Sequence, residues 1–209
     1  MRTRLATAVI TLMVSISLTG CMSKVKYPAY YTLHLPPAAD PPVARGTRSS
    51  VAVREFRSPG YLRQGAIVYR ESPEELGFYN YHRWAADPRE FVTNAIVERM
   101  RASGRFAQVK VYDGRSDVDL ILSGRLEKLE EVDYESGVRV EVALSGQITD
   151  LHSGKTLWAD AVSQTAEVDG RTVPGVVAGM SHAMDRAIEQ LLAPLANSAI
   201  SLRPPANQP

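Results

Sequence analysis

Between Val138 and Thr149 the chain alternates its side chains with a period of two. Val138, Val140, Val142, Leu144 and Ile148 fall on one side, and Arg139, Glu141, Ser145, Gln147 and Thr149 on the other. Only an extended strand places alternate residues on opposite faces, and a strand with one apolar and one polar face lies in a sheet covered on one side. The neighbours extend this constraint. Val118 to Val132 reads as a long strand before it. Asp150-Leu-His-Ser-Gly154 reads as a turn, and Thr156 to Val168 as the return strand, closed by Asp169-Gly170. Three long strands in succession form a meander, which needs a layer of helix to bury its apolar face.

Two helical segments supply that layer. Asp87-Pro88 offers an N-cap followed by proline at the first helical position, and Glu90 sits three residues after the cap. Phe91, Ala95, Ile96 and Met100 then share one face, and Gly104 supplies a C-cap. The second segment runs from about Pro174 to Leu195, with an apolar stripe of Val176, Val177, Met180, Met184, Ile188, Leu191, Leu192 and Leu195. Shorter strands precede the first helix: Tyr30–Leu35, Val51–Phe56, Ala66–Arg70 and Leu76–Asn80, the last two joined as a hairpin through Ser72–Glu75. Phe106–Tyr112 follows it. The loop Pro36–Ser50 carries four of the chain's 13 prolines. The order predicts an α+β fold: a two-layer sandwich of a mixed, mostly antiparallel sheet with two helices packed on one face.

The N-terminus bears on location. Arg2 and Arg4 precede an apolar stretch from Leu5 to Leu18, too short to read as a membrane span. Leu18-Thr19-Gly20-Cys21 fits a lipobox, with small residues for the processing peptidase and a thiol to carry lipid. Cys21 is the chain's one cysteine, and lipidation accounts for an otherwise odd thiol in an exported protein. The expected organisation is a signal peptide over 1–20, a lipidated tether over 21–29, a periplasmic domain over 30–196 and a disordered tail over 197–209. A diacylglyceryl group and an N-acyl chain (palmitate, for example) on Cys21 would hold the protein firmly, since each buried methylene contributes ~0.8 kcal/mol. Met22 follows the cysteine where inner-membrane retention uses Asp, so the expected location is the outer membrane of a Gram-negative bacterium, facing the periplasm.

Charge excludes one class of partner. There are 24 Lys and Arg against 23 Asp and Glu; removing Arg2 and Arg4 with the signal takes the balance from +1 to −1. Nucleic-acid binding would want a basic face. Catalysis finds no foothold either. His34, His82, His152 and His182 have no metal-like spacing, so no metal or cofactor is expected. No G-x-S-x-G or phosphate-binding glycine loop occurs. Glu127, Glu130, Glu131, Asp133 and Glu135 form an acidic run. It reads as a solvated strand end, with a cation or a basic partner as the alternative.

One segment stands apart. Residues 61–84 hold Tyr61, Tyr69, Phe78, Tyr79, Tyr81 and Trp84, six of the chain's nine Tyr, four Phe and two Trp, interleaved with Arg63, Arg70, His82 and Arg83. Clusters of aromatic and Arg residues make partner-binding hot spots. They also cover sheet edges, and the composition allows both uses.

The same residues carry a resemblance. Tyr31-Thr-Leu, Tyr61-Leu, Ile67-Val-Tyr-Arg70, Phe78-Tyr-Asn-Tyr81 and Arg83-Trp-Ala85 before Pro88 resemble the ABC-type transport auxiliary lipoproteins. Ser103-Gly-Arg-Phe106, Leu122-Ser-Gly-Arg-Leu126 and Asp150–Lys155 continue it in order over about residues 30–195. The resemblance implies a non-enzymatic accessory subunit of a transporter that moves lipids between membranes. Its implied partner is an MCE-domain protein of that transporter, and homo-oligomers would suit a ring-shaped partner. The implied contact is the segment carrying Tyr61, Tyr69, Arg70, Phe78, Tyr79, Tyr81, Arg83 and Trp84. Two other functions remain in view: a lipid carrier using Met180, Met184 and the Leu-rich stripe as a pocket wall, and an envelope-assembly scaffold.

Overall fold

The computed structural model describes residues 26–37, 49–115, 117–133, 137–168 and 170–196. The signal segment, Cys21, most of the Pro36–Ser50 loop, Glu135 and the tail from 197 onward lie outside the described residues. Eight strands form one mixed sheet: β1 (Ala29–Tyr31), β2 (Ser50–Val53), β3 (Ala66–Arg70), β4 (Leu76–Trp84), β5 (Gln108–Val111), β6 (Leu120–Val132), β7 (Arg139–Asp150) and β8 (Thr156–Glu167). A 3-10 turn covers Gly60–Gln64, and the two α-helices are α1 (Pro88–Ala102) and α2 (Val173–Ala196).

The meander β6–β7–β8 is antiparallel, as the alternation requires. The other long side of β6 carries two separate half-sheets. At its start, Leu120–Leu122 pairs in parallel with Val51–Val53 of β2, and β2 pairs with β5. At its end, Glu131 and Val132 pair in parallel with Tyr69 and Arg70 of β3. From there β3 pairs with β4, and β4 with β1 at the sheet's edge. The joint between the half-sheets is filled from the sequence. Phe56 is fully buried, and its ring lies where a side chain on Gly124 would be, so that glycine leaves room for the ring against β6.

Val140, Val142, Leu144 and Ile148 of β7 are buried against α2, whose Val176, Met180, Met184, Ile188 and Leu191 are fully buried in turn. At ~1.5–3 kcal/mol for each large apolar side chain removed from water, this interface is the main source of stability. Helix α1 starts as its sequence signals. Asp87 accepts from the amide of Arg89 at 2.9 Å and from the Arg89 guanidinium at 2.7 Å, which holds its carboxyl below the usual range. Gly104 takes φ 61°, the left-handed conformation expected of it. Both helices lie on the same face and are tied by ion pairs from Arg99 to Asp185 and Glu189.

Three strands depart from the reading above by three residues or more, and one of them, β2, ends at Val53 rather than Phe56. The first strand stops at Tyr31 rather than Leu35. Beyond it the chain leaves the sheet: Leu33 is buried in the core, and the amide of His34 donates to the Ser181 hydroxyl on α2 at 3.0 Å. Strand β4 runs past Asn80 to Trp84, because β1 lies along it, pairing Ala29–Tyr31 with His82–Trp84.

Candidate functional site

The segment 61–84 folds as the 3-10 turn plus the β3–β4 hairpin at the far edge of the sheet, and β6 meets it with two consecutive carboxylates. Glu130 and Glu131 are 0% and 3% exposed. At these two positions the acidic run is therefore not a solvated strand end. A strand points consecutive residues to opposite faces, so each carboxylate is buried on a different side, and each has found its own partner.

On one face Arg70 clasps Glu130 through two parallel bonds, Nε to Oε1 at 2.9 Å and an Nη to Oε2 at 3.1 Å. Its other Nη donates to the carbonyl of Pro73 at 2.8 Å in the hairpin turn. Tyr61 closes the cluster from the 3-10 turn, its hydroxyl 3.3 Å from the Glu127 carbonyl. Burial and the Glu130 charge push the Tyr61 phenol up to about 12. On the other face Tyr79 donates to Glu131 at 2.8 Å. Burial, then the Glu131 carboxylate, pushes the Tyr79 phenol well above its ordinary range. Burial likewise raises the Glu131 carboxyl, against the pull of the Tyr79 bond. Glu127, the outer member of the run, pairs with Arg125 and Ser145.

The aromatic rings continue outward from this polar floor. Tyr69 packs on Tyr79 with centroids 5.0 Å apart, across Gly77, where any side chain would occupy the Tyr69 ring. Tyr79 meets His82 edge-on at 5.7 Å, and His82 hydrogen-bonds the Tyr31 hydroxyl at 2.8 Å. Beside them lies a shallow hollow of about 410 Å³ bordered by Tyr69, Phe78, Tyr79, Tyr81 and Lys26. Lys26 lies 4.5 Å above the Tyr81 ring.

Residues 31–192 match the family model of the ABC-type transport auxiliary lipoprotein component. The chain belongs to that family. The match runs from the end of β1 to the last turns of α2 of this auxiliary lipoprotein. Among solved structures, one from Xanthomonas campestris has a TM-score of 0.70 at 15% identity, covering 80% of this chain and 95% of that one. An uncharacterized protein has a TM-score of 0.63 at 13% identity over 81% and 99%. A hypothetical protein from Chlamydia trachomatis has a TM-score of 0.51 at 8% identity over 72% and 96%. These likenesses show a shared fold. No curated protein matches the sequence.

Of the residues marked out in the auxiliary lipoprotein's sequence, the structure gathers most at one edge but gives them different work. Trp84 is 4% exposed and packs edge-on against Phe91 of α1, so it belongs to the core. Arg70 and Tyr61 are committed to Glu130. Arg83 donates to the Gln64 carbonyl at 2.8 Å and ties β4 to the 3-10 turn. Phe78, Tyr69 and Tyr79 are half-buried, and Tyr81 is 42% exposed. Two residues not singled out in the sequence join them. Tyr27 and Tyr30, 81% and 63% exposed, border the same edge because β1 pairs with β4. Of the five exposed large apolar side chains among the described residues, these three tyrosines share one edge. The cue was Tyr27-Pro-Ala-Tyr-Tyr31, three tyrosines in five residues. Met180 and Met184 are fully buried core residues. Among the described residues no helix is long and apolar enough to cross a membrane.

Proposed function

We propose that this auxiliary lipoprotein is a non-catalytic accessory subunit of an ABC/MCE-type intermembrane lipid transport system, anchored by lipid on Cys21 to the outer membrane and facing the periplasm. Its docking surface for the MCE-domain partner is the β1–β4 edge, centred on Tyr81 and Phe78 with Tyr27, Tyr30 and Tyr69 around them. The observation that carries this reading is the family match over residues 31–192, which assigns the chain to an ABC transporter's auxiliary component. The exposed tyrosines support the location. Rigid, amphipathic rings give contact area at low entropic cost, and the buried Arg70–Glu130 pair fixes the hairpin beneath them. The edge also carries Lys26, which lies over the Tyr81 ring five positions after Cys21 in sequence.

The test is a pull-down from crosslinked envelopes, comparing tagged wild type with a Phe78→Ala/Tyr81→Ala variant. Arg70 and Trp84 are left intact, because their removal would damage the fold. Recovery of an MCE-domain protein with wild type, reduced at least about tenfold in the variant, supports the reading; the loss of one or two buried anchor rings is of that size. Recovery of only outer-membrane assembly factors contradicts it.

A further inference from the structure

The sheet face away from the helices carries a second feature, remote from the tyrosine edge. Ser123 and Arg125 on β6 pair across the sheet with Gln147 and Ser145 on β7, and these with Ala159 and Ala161 on β8. Small side chains thus floor a hollow of about 670 Å³, and Arg54, Arg57 and Arg125 line it. The arginines are held by backbone, not left on a loose loop. The amide of Arg54 donates to Leu122 at 2.9 Å, that of Arg57 to Gly124 at 3.0 Å, and the Arg57 carbonyl accepts from Leu126 at 2.8 Å.

The charge pattern is unbalanced. Arg57 and Arg125 stand directly opposite each other across a parallel bridge, an arrangement that like charges disfavour. Glu127 neutralises Arg125 at 3.0 Å. Arg54 stacks over the Tyr112 ring at 4.8 Å, which orients its guanidinium. Neither Arg54 nor Arg57 has a carboxylate partner among the described residues. Glu55, between them in sequence, is turned to Arg89 at the start of α1. The carboxylate in the lining itself, Asp160, accepts from the amide of Ala161. Donors therefore outnumber acceptors around a floor small enough to admit a bulky anion.

We propose that this hollow binds a phosphate-type oxyanion, the phosphodiester of a lipid headgroup or a soluble phosphate ester of the same chemistry. Guanidinium forks match such an oxyanion in shape and charge. Arg57 and Arg54 supply the charge-assisted bonds, and the Ser123 hydroxyl and Gln147 amide supply the neutral ones.

The experiment is calorimetric titration of the full chain in neutral detergent with three probes: inorganic phosphate, dihexanoyl-phosphatidylglycerol and dihexanoyl-phosphatidylcholine. The variants are Arg57→Gln, Arg54→Gln and the control Lys155→Gln, which removes equal charge from an exposed turn. Saturable binding that weakens about tenfold in Arg57→Gln and is unchanged in Lys155→Gln is expected, the loss of one charge-assisted pair. Tighter binding of either lipid than of phosphate identifies a headgroup; equal or tighter binding of phosphate identifies a soluble ester. No saturable binding of any probe, or binding indifferent to Arg57 and Arg54, overturns the proposal. Thermal midpoints of the variants within a few degrees of wild type show that the fold is intact, and these exposed side chains are expected to give that result.

Discussion

Replacing Arg70 with Met removes the guanidinium from Glu130 while keeping much of the aliphatic bulk. The Arg70 side chain is 18% exposed and that of Glu130 is 0%, so Glu130 cannot turn to water when its partner is lost. An ion pair broken on one side in this way costs about 3–5 kcal/mol, most of it the penalty of an uncompensated buried charge. The pair itself carries less, because both charges were desolvated to form it. A double variant, Arg70→Met/Glu130→Leu, should therefore recover most of that loss. For a domain of this size the single change corresponds to a fall of roughly 6–20 °C in melting temperature. Urea denaturation of wild type, both single variants and the double variant gives the coupling energy directly. If Arg70→Met cost less than about 1 kcal/mol, Glu130 would be reaching solvent. The burial argument for this edge would then be wrong.

Three further outcomes follow from the packing and the charges. Gly124→Ala puts a carbon 2.3 Å from the buried Phe56 ring and 2.7 Å from the Ser145 carbonyl; a loss of about 1–3 kcal/mol in chemical denaturation is expected, and a change under about 0.5 kcal/mol would contradict the packing. Trp84→Ala should cost about 3–5 kcal/mol as a core truncation, whereas Tyr81→Ala, on the surface, should stay within about 0.5 kcal/mol; similar values for both would be wrong for this fold. Glu131 has its carboxyl raised above 4.5 by burial, so the native state holds its proton more tightly than the unfolded chain. Its contribution is present below 4.5 and is lost as pH rises through the raised value. Glu131→Gln should then gain stability relative to wild type between acid and neutral pH, and a gap that narrows over that range would reverse the assignment.

Much of the sheet was legible in the sequence because its signals are local. The β7 alternation, the Asp87-Pro88 cap and the Gly104 terminus each depend on a few neighbouring residues, and the structure keeps all of them. What was illegible depends on distant pairings. Nothing within Tyr30–Leu35 announces that the strand ends at Tyr31; that follows from a bond between His34 and Ser181, 147 residues away. The acidic run looks solvated by composition, since unpaired carboxylates avoid the interior. Arg70, Tyr61 and Tyr79, which make burial possible, lie 52 to 69 residues earlier and come alongside only through the parallel β3–β6 pairing. Aromatic density marked out the β1–β4 edge but could not divide core rings from surface rings. Trp84 went inside, and Tyr27 and Tyr30 took a place outside because β1 pairs with β4.

Site-specific photocrosslinking in living cells decides whether the β1–β4 edge meets an MCE-domain protein. A photoreactive amino acid is placed at Tyr81, at Tyr30 and, as a control on the far edge of the sheet, at Ser163 on β8. Crosslinks from positions 81 and 30 to an MCE-domain protein, and none from position 163, are expected. Crosslinks to that protein from 163 alone, or none from any position to a transporter component, would contradict that contact.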